Sequence, residues 1–274
     1  MIDLSEVSGL PLQFDDENLL LVSTSSDLVL PEPGLRRLDD LRPVLLDPNC
    51  AGPDSVYRMY RDVRLRAHDN ILRQYSLRYD ISVFWGTKLG REYFKTYGHY
   101  HPPIPSDPVL SYPEVYEVLY GEALFLLQRV DDIYKDLFYV EVKDIIAIHV
   151  RAGEKVIMPP NYGHVTINLG PGPMVDANWV CNDFSSHYVS VRQARGFAYY
   201  LIDDGGKPRW IPNEKYRQPL PPLRQAETLE APELGIRLDT PLYISGSSSP
   251  ATLTWLCSPA DYLEQIWDSI KIAN

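Results

Sequence analysis

The sequence predicts an all-β-dominated fold, a sandwich or barrel, with a mixed N-terminal segment and a C-terminal strand pair plus helix around it. From Tyr79 onward, short runs rich in β-branched and aromatic residues follow one another. They are ISVFWG, EYFKTY, EVYEVLY, ALFLLQRV, LFYVEV, IIAIHV, KVIMPP, HVTINL, MVDANWV and FAYYLI. Gly, Pro, Asn and Asp separate the runs, as turns between strands require. The 24 prolines among 274 residues add ordered loops and turns.

The barrel is expected over residues 79–203. Residues 1–78 read as an N-terminal extension packed on it. Within them LRRLDDLRPVLL (35–46) has a helical flavour broken by Pro43, and 55–76 carries many basic residues without a clean apolar stripe. Residues 204–274 read as a linker and a C-terminal extension. The linker, 204–240, is dense in Pro, Gly and charge; PLYIS and ATLTWLC then read as a strand pair. A helix is expected over 259–272. Ser258 suits its N-cap, Pro259 its first position and Asp261 its first turn. Leu263, Ile266, Trp267 and Ile270 share one helical face.

Apolar residues at 45% and charged residues at 23% are ordinary for a globular chain. Against 37 acidic residues stand 26 basic ones, a net charge of −11. Nucleic acid and anionic membrane are disfavoured as partners, because both repel such a chain at long range. A small anion in a locally positive pocket is still allowed. No stretch approaches 18 apolar residues, and MIDLSEVSGL lacks the basic and apolar regions of a signal peptide. The expected location is the cytoplasm. Cys50, Cys181 and Cys257 are odd in number, widely spaced and free of CxxC. They are read as thiols of a reducing compartment, not a disulfide framework.

Chemistry concentrates in a few of the six histidines. His99 and His101 are separated by one residue; on a strand they share a face and could share a metal. Glu114 precedes a turn glycine, Gly121, by a strand's length. Further on, Gly153, a strand, Pro159-Pro160-Asn161-Tyr162-Gly163, His164 and Asn168 follow in order.

These spacings resemble the two motifs of the cupins, G-x5-HxH-x3,4-E-x6-G and G-x5-PxG-x2-H-x3-N. The second departs only at Asn161, which replaces the middle glycine; asparagine tolerates left-handed backbone better than most residues. The first has Tyr93 where a glycine is expected, and 12 residues, not 3 or 4, between His101 and Glu114. That insert, PPIPSDPVLSYP, reads as a rigid loop at the rim of the site. It leaves Glu117 as a competitor for the acidic position, although only Glu114 has the run to Gly121.

TYGHYHP, PEVYEVLYGEALFLLQ and PPNYGHVTIN are similar to the archaeal-type, cupin phosphoglucose isomerases, over roughly residues 75–203. The resemblance implies a double-stranded β-helix, or jelly-roll, barrel. It implies a homodimer that interconverts glucose 6-phosphate and fructose 6-phosphate, a step of glycolysis and gluconeogenesis. It implies one divalent ion per subunit on His99, His101, Glu114 and His164, Fe(II) first, with Zn, Mn or Ni as alternatives. It places the phosphate at Thr96 and Gly98, with a further hydroxyl from Ser82 or Thr87. Tyr116 and His187 match further site positions; Cys181 stands where the family has a tyrosine, and Tyr188 is the expected substitute.

Glu114 is the expected base for proton transfer through an enediolate, with His187 assisting ring opening. A metal-assisted hydride shift is the other route. Two rival functions use the same shell: a metal-dependent oxygenase or oxidase, and a non-catalytic cupin that binds sugar phosphate. His68 and His149 read as structural, and Lys88 and Lys95 as solvent-facing.

Overall fold

The computed structural model describes every residue except Thr87 and Asn274. Alternating β-branched and aromatic runs fold into strands β1 (Gly34–Arg37), β2 (Ser55–Tyr60), β3 (Leu77–Phe84), β4 (Glu114–Tyr120), β5 (Glu122–Val130), β6 (Val142–Arg151), β7 (Lys155–Met158), β8 (Tyr162–Asn168), β9 (Met174–Cys181), β10 (Leu223–Thr228) and β11 (Ile270–Ile272). One sheet runs β7-β4-β9-β3-β2-β1, antiparallel throughout. The other runs β8-β5-β6-β10-β11, in which β6 and β10 alone are parallel. The two sheets face each other as the expected cupin barrel.

The barrel extends past residues 79–203. Strands β1 and β2 come from the expected N-terminal extension, and β10 and β11 from the C-terminal one. EYFKTY is no strand; it touches β8 through an isolated bridge, Lys95 to Ile167, and the following His99 makes another, to His164. LFYVEV is a turn until β6 begins at Val142.

The expected C-terminal strand pair is helical instead. Leu242–Ser248 is α-helix and Pro250–Leu256 is 3-10 helix. Tertiary packing decides this. A Cβ added at Gly246 would lie 2.5 Å from Trp179, so the helix seats its glycine on that ring. Trp179 Nε1 donates to Leu242 O at 2.8 Å, and its ring stacks on Tyr243. The helix expected over 259–272 is shorter, Ala260–Tyr262 then Leu263–Asp268, because Ile270 pairs with Thr228 as a strand.

Both terminal segments therefore cover the outer face of the first sheet. Leu12 and Phe14 from one end, and Leu242, Leu253 and Trp255 from the other, share a core with Ile81, Val115 and Trp179. Trp179 is fully buried there, and its truncation to alanine costs about 3–5 kcal/mol. Glu117 points to this same outer face. Its Oε1 lies 2.8 Å from Lys155 Nζ, and its Oε2 accepts the Leu242 N–H at 2.8 Å. That buried pair removes Glu117 from competition for the metal.

The reading of three unpaired thiols is also corrected. Cys181 and Cys257 form a disulfide, with Cα atoms 5.2 Å apart, and Cys50 is free and buried. They are 76 residues apart in sequence, but the end of β9 and the end of the Pro250–Leu256 helix converge. Among the described residues, no helix is long and apolar enough to cross a membrane.

Candidate metal centre

Strand register places the inward side chains. Glu114 and Tyr116 of β4 face inward beside Val180 and Asn178 of β9, and Asn178 in turn stands opposite Asp80 of β3. From the other sheet, β8 brings His164 and Thr166 to the same space. Residues 96–101 run along β8. His99 and His164 exchange backbone bonds at 3.1 and 3.0 Å, and the Thr166 N–H donates to Thr96 Oγ1 at 3.1 Å. These walls enclose a cavity of about 310 Å³, large enough for a small ligand.

At one end His99, His101, Glu114 and His164 offer donor atoms all within 4.8 Å of one another. The Nε2 atoms of His99 and His101 are 3.1 Å apart. Glu114 Oε2 lies 3.3 Å from His101 Nε2 and 3.1 Å from His164 Nε2. It is nevertheless buried without hydrogen-bond geometry to any described residue. His101 Nδ1 is 2.8 Å from Tyr112 O, which assigns the proton to Nδ1 and the lone pair to Nε2. Burial, then the nearby His164 and His101, hold the His99 ring well below its usual range, and burial lowers His164 too. Burial alone would raise Glu114, but the bonds and charges of His101 and His164 hold it well below the usual carboxylate range. Three imidazoles and an ionised carboxylate aimed at one point could hold a divalent ion.

The remaining expected residues divide. Ser82, Thr96, Gly98, Tyr116 and Tyr188 all line the cavity. At Gly98, φ is +75° and a Cβ would lie 2.3 Å from the Phe197 ring, so only glycine fits this turn into His99. Asn161 does adopt left-handed backbone, with φ of 70°. Its side chain and N–H bond Ser111 and Val109, which ties the proline-rich insert to the turn before His164. Thr87 lies outside the described residues. His187 does not line the cavity: its backbone pairs with Tyr100 and its ring packs on Tyr134, so its neighbour Tyr188 faces inward instead. Lys95 is buried against Glu92 and Val44 O, not solvent-facing, while Lys88 pairs with Asp203. His68 bonds Tyr243 and His149 bonds Glu122, and neither lines the cavity.

Sequence reasoning missed several lining residues. Tyr57 of β2 is one. Its hydroxyl accepts from Arg36 Nε at 3.1 Å and from the Tyr97 N–H at 3.3 Å, and its own O–H has no acceptor among the described residues. The Arg36 guanidinium lies over the rings of Tyr57, Tyr97 and Tyr188. Arg61, Arg78, Asp80, Asp176 and Asn178 complete the floor. Asp80 accepts from Arg78 Nε at 3.0 Å and from Arg61 at 3.2 Å. The available signal was alternation: MVDANWV sets two polar residues two apart within an otherwise apolar strand.

Residues 35–218 match the family described as Glucose-6-phosphate isomerase (GPI). The glucose-6-phosphate isomerase of Thermococcus gammatolerans is 26% identical over 187 residues, which cover 66% of this chain and 86% of that protein. That of Pyrococcus furiosus is 24% identical over 190 residues, covering 67% and 88%. Among solved structures, vicilin from hazelnut, Corylus avellana, aligns with a TM-score of 0.34 at 14% identity, over 50% of this chain and 33% of that one. With the matched span running from β1 past His99, His101, Glu114 and His164, the chain belongs to the glucose-6-phosphate isomerase family.

Proposed function

We propose that the chain interconverts glucose 6-phosphate and fructose 6-phosphate and depends on one divalent ion held by His99, His101, Glu114 and His164. The observation that carries this reading is the convergence of those four donors at one end of a cavity that Ser82, Thr96 and Gly98 also line. A bound ion would supply Lewis acidity to the sugar's carbonyl and adjacent hydroxyl oxygens. Its identity is open among Fe(II), Zn, Mn and Ni, since mixed N and O donors select weakly among them.

The protein's residues then divide the work. Glu114 is the base. It takes the proton from C1 of the open-chain ketose and returns it at C2, on one face, through an enediolate. Asn178 holds its other oxygen at 2.6 Å and fixes its direction. Tyr116 lies 3.1 Å from His164 Nε2. Burial, then the Glu114 charge, push its phenol well above the usual range, so it stays a neutral O–H able to relay the second proton between O1 and O2. Ser82, Thr96, the backbone at Gly98 and the free O–H of Tyr57 hold the phosphate, with the Arg36 charge behind Tyr57.

A coupled assay for glucose 6-phosphate formed from fructose 6-phosphate tests this reading, on wild type and Glu114→Gln. Wild-type turnover with a loss of at least about 100-fold in the variant is expected. No wild-type turnover, with a divalent ion shown to be bound, would overturn it.

A further inference from the structure

Asp176 sits in the cavity floor on β9, opposite Ser82 on one side and Val118 on the other. It is 1% exposed, and neither carboxyl oxygen has a hydrogen-bond partner among the described residues. The other polar groups of this floor are committed: Asp80 to Arg61 and Arg78, and the Asn178 amide to Glu114. A buried polar atom without a partner is a cost that an apolar residue would avoid. A strand inside a sheet readily accepts valine, so the carboxyl is unexplained by folding.

Its position gives it a use. Two residues along β9, Asn178 marks the metal end through Glu114. Beside it, Ser82 marks the phosphate end. A sugar phosphate lying between these ends carries its chain hydroxyls over Asp176. We propose that Asp176 is a specificity-determining residue that binds a hydroxyl of the substrate's carbon chain. This rests on the sugar-phosphate reading above. Burial, then the charge of Glu114, push the Asp176 carboxyl well above the usual carboxylate range. Its two oxygens, both without a partner among the described residues, can meet neighbouring hydroxyls of the chain.

The test compares wild type with Asp176→Val and Asp176→Asn, all loaded with metal. KM for fructose 6-phosphate is read beside the inhibition constant of n-hexyl phosphate, which lacks the chain hydroxyls, and beside Tm. In Asp176→Val, KM rises about 10- to 100-fold, the inhibition constant holds or falls, and Tm does not fall. Asp176→Asn, which keeps a polar group of the same shape, recovers most of the KM. An unchanged KM in Asp176→Val, or KM and the inhibition constant rising together with a lower Tm, would overturn the proposal and leave Asp176 structural. Wild type is read first: its failure to turn over fructose 6-phosphate overturns the isomerase reading, and this one with it.

Discussion

The Asn178 side-chain amide donates to Glu114 Oε1 at 2.6 Å, so that only Oε2 faces the three imidazoles. One carboxylate is thereby divided between a positioning bond and an oxygen that faces the imidazoles. Asn178→Leu frees the carboxylate to rotate. Metal affinity then falls about 10- to 100-fold, as for other outer partners of metal ligands. Competition with a chromophoric chelator measures it. Unaltered affinity would show that packing alone orients Glu114.

Gly98 carries a different burden. Alanine there meets the Phe197 ring at 2.3 Å and Val165 at 3.2 Å, in a backbone with φ of +75°. Gly98→Ala displaces His99, the next residue, so metal content per chain falls well below wild type and turnover falls by roughly 100-fold. Elemental analysis of the purified variant reads the first quantity directly. A fully loaded, active Gly98→Ala would refute the role of this turn.

Tyr57→Phe removes the hydroxyl that accepts from Arg36 and Tyr97. KM for the sugar phosphate rises about tenfold, because one donor to the anion is lost, and metal content stays at the wild-type level. The unpaired N–H groups also cost about 1–2 kcal/mol of stability. Loss of metal in this variant would contradict the separation of the two ends of the cavity.

Asp144 ties the C-terminal strand β10 to the barrel. It accepts from Arg224 Nε at 3.0 Å and from the Tyr162 hydroxyl at 2.6 Å. Burial pushes its carboxyl up, and the bonds from Arg224 and Tyr162 reverse this and hold it below the usual aspartate range. The folded chain thus binds this proton less readily than the unfolded one, and stability rises with pH across that interval. The contribution is full above about pH 4–5 and is lost as pH falls through the lowered folded value. Asp144→Asn removes that part of the acid dependence and costs about 1–2 kcal/mol near neutrality, after allowance for the partial exposure of Arg224. Thermal denaturation of both proteins between pH 3 and 7 checks it; parallel curves would count against it.

The clustering of His99, His101, Glu114 and His164 was legible in sequence because its signals are local. They are the one-residue spacing of His99 and His101, the run from Glu114 to Gly121, and the prolines and glycine before His164. The polar floor was not legible in the same way. Arg78, Asp80, Asp176 and Asn178 become neighbours only through the register of β3 on β9. Likewise, Leu242–Ser248 reads as a strand in isolation and becomes a helix where Gly246 meets Trp179. Cys181 and Cys257 needed the same knowledge of where two distant segments end.

The most direct measurement is a titration of chelator-stripped protein with a divalent ion, reading turnover of fructose 6-phosphate against ions bound per chain. Stripped protein is expected to show no turnover, which then rises and saturates at one ion per chain; His164→Ala is expected to show no such rise. Full turnover without metal, or a chain that fills with one ion and stays inactive, would contradict it.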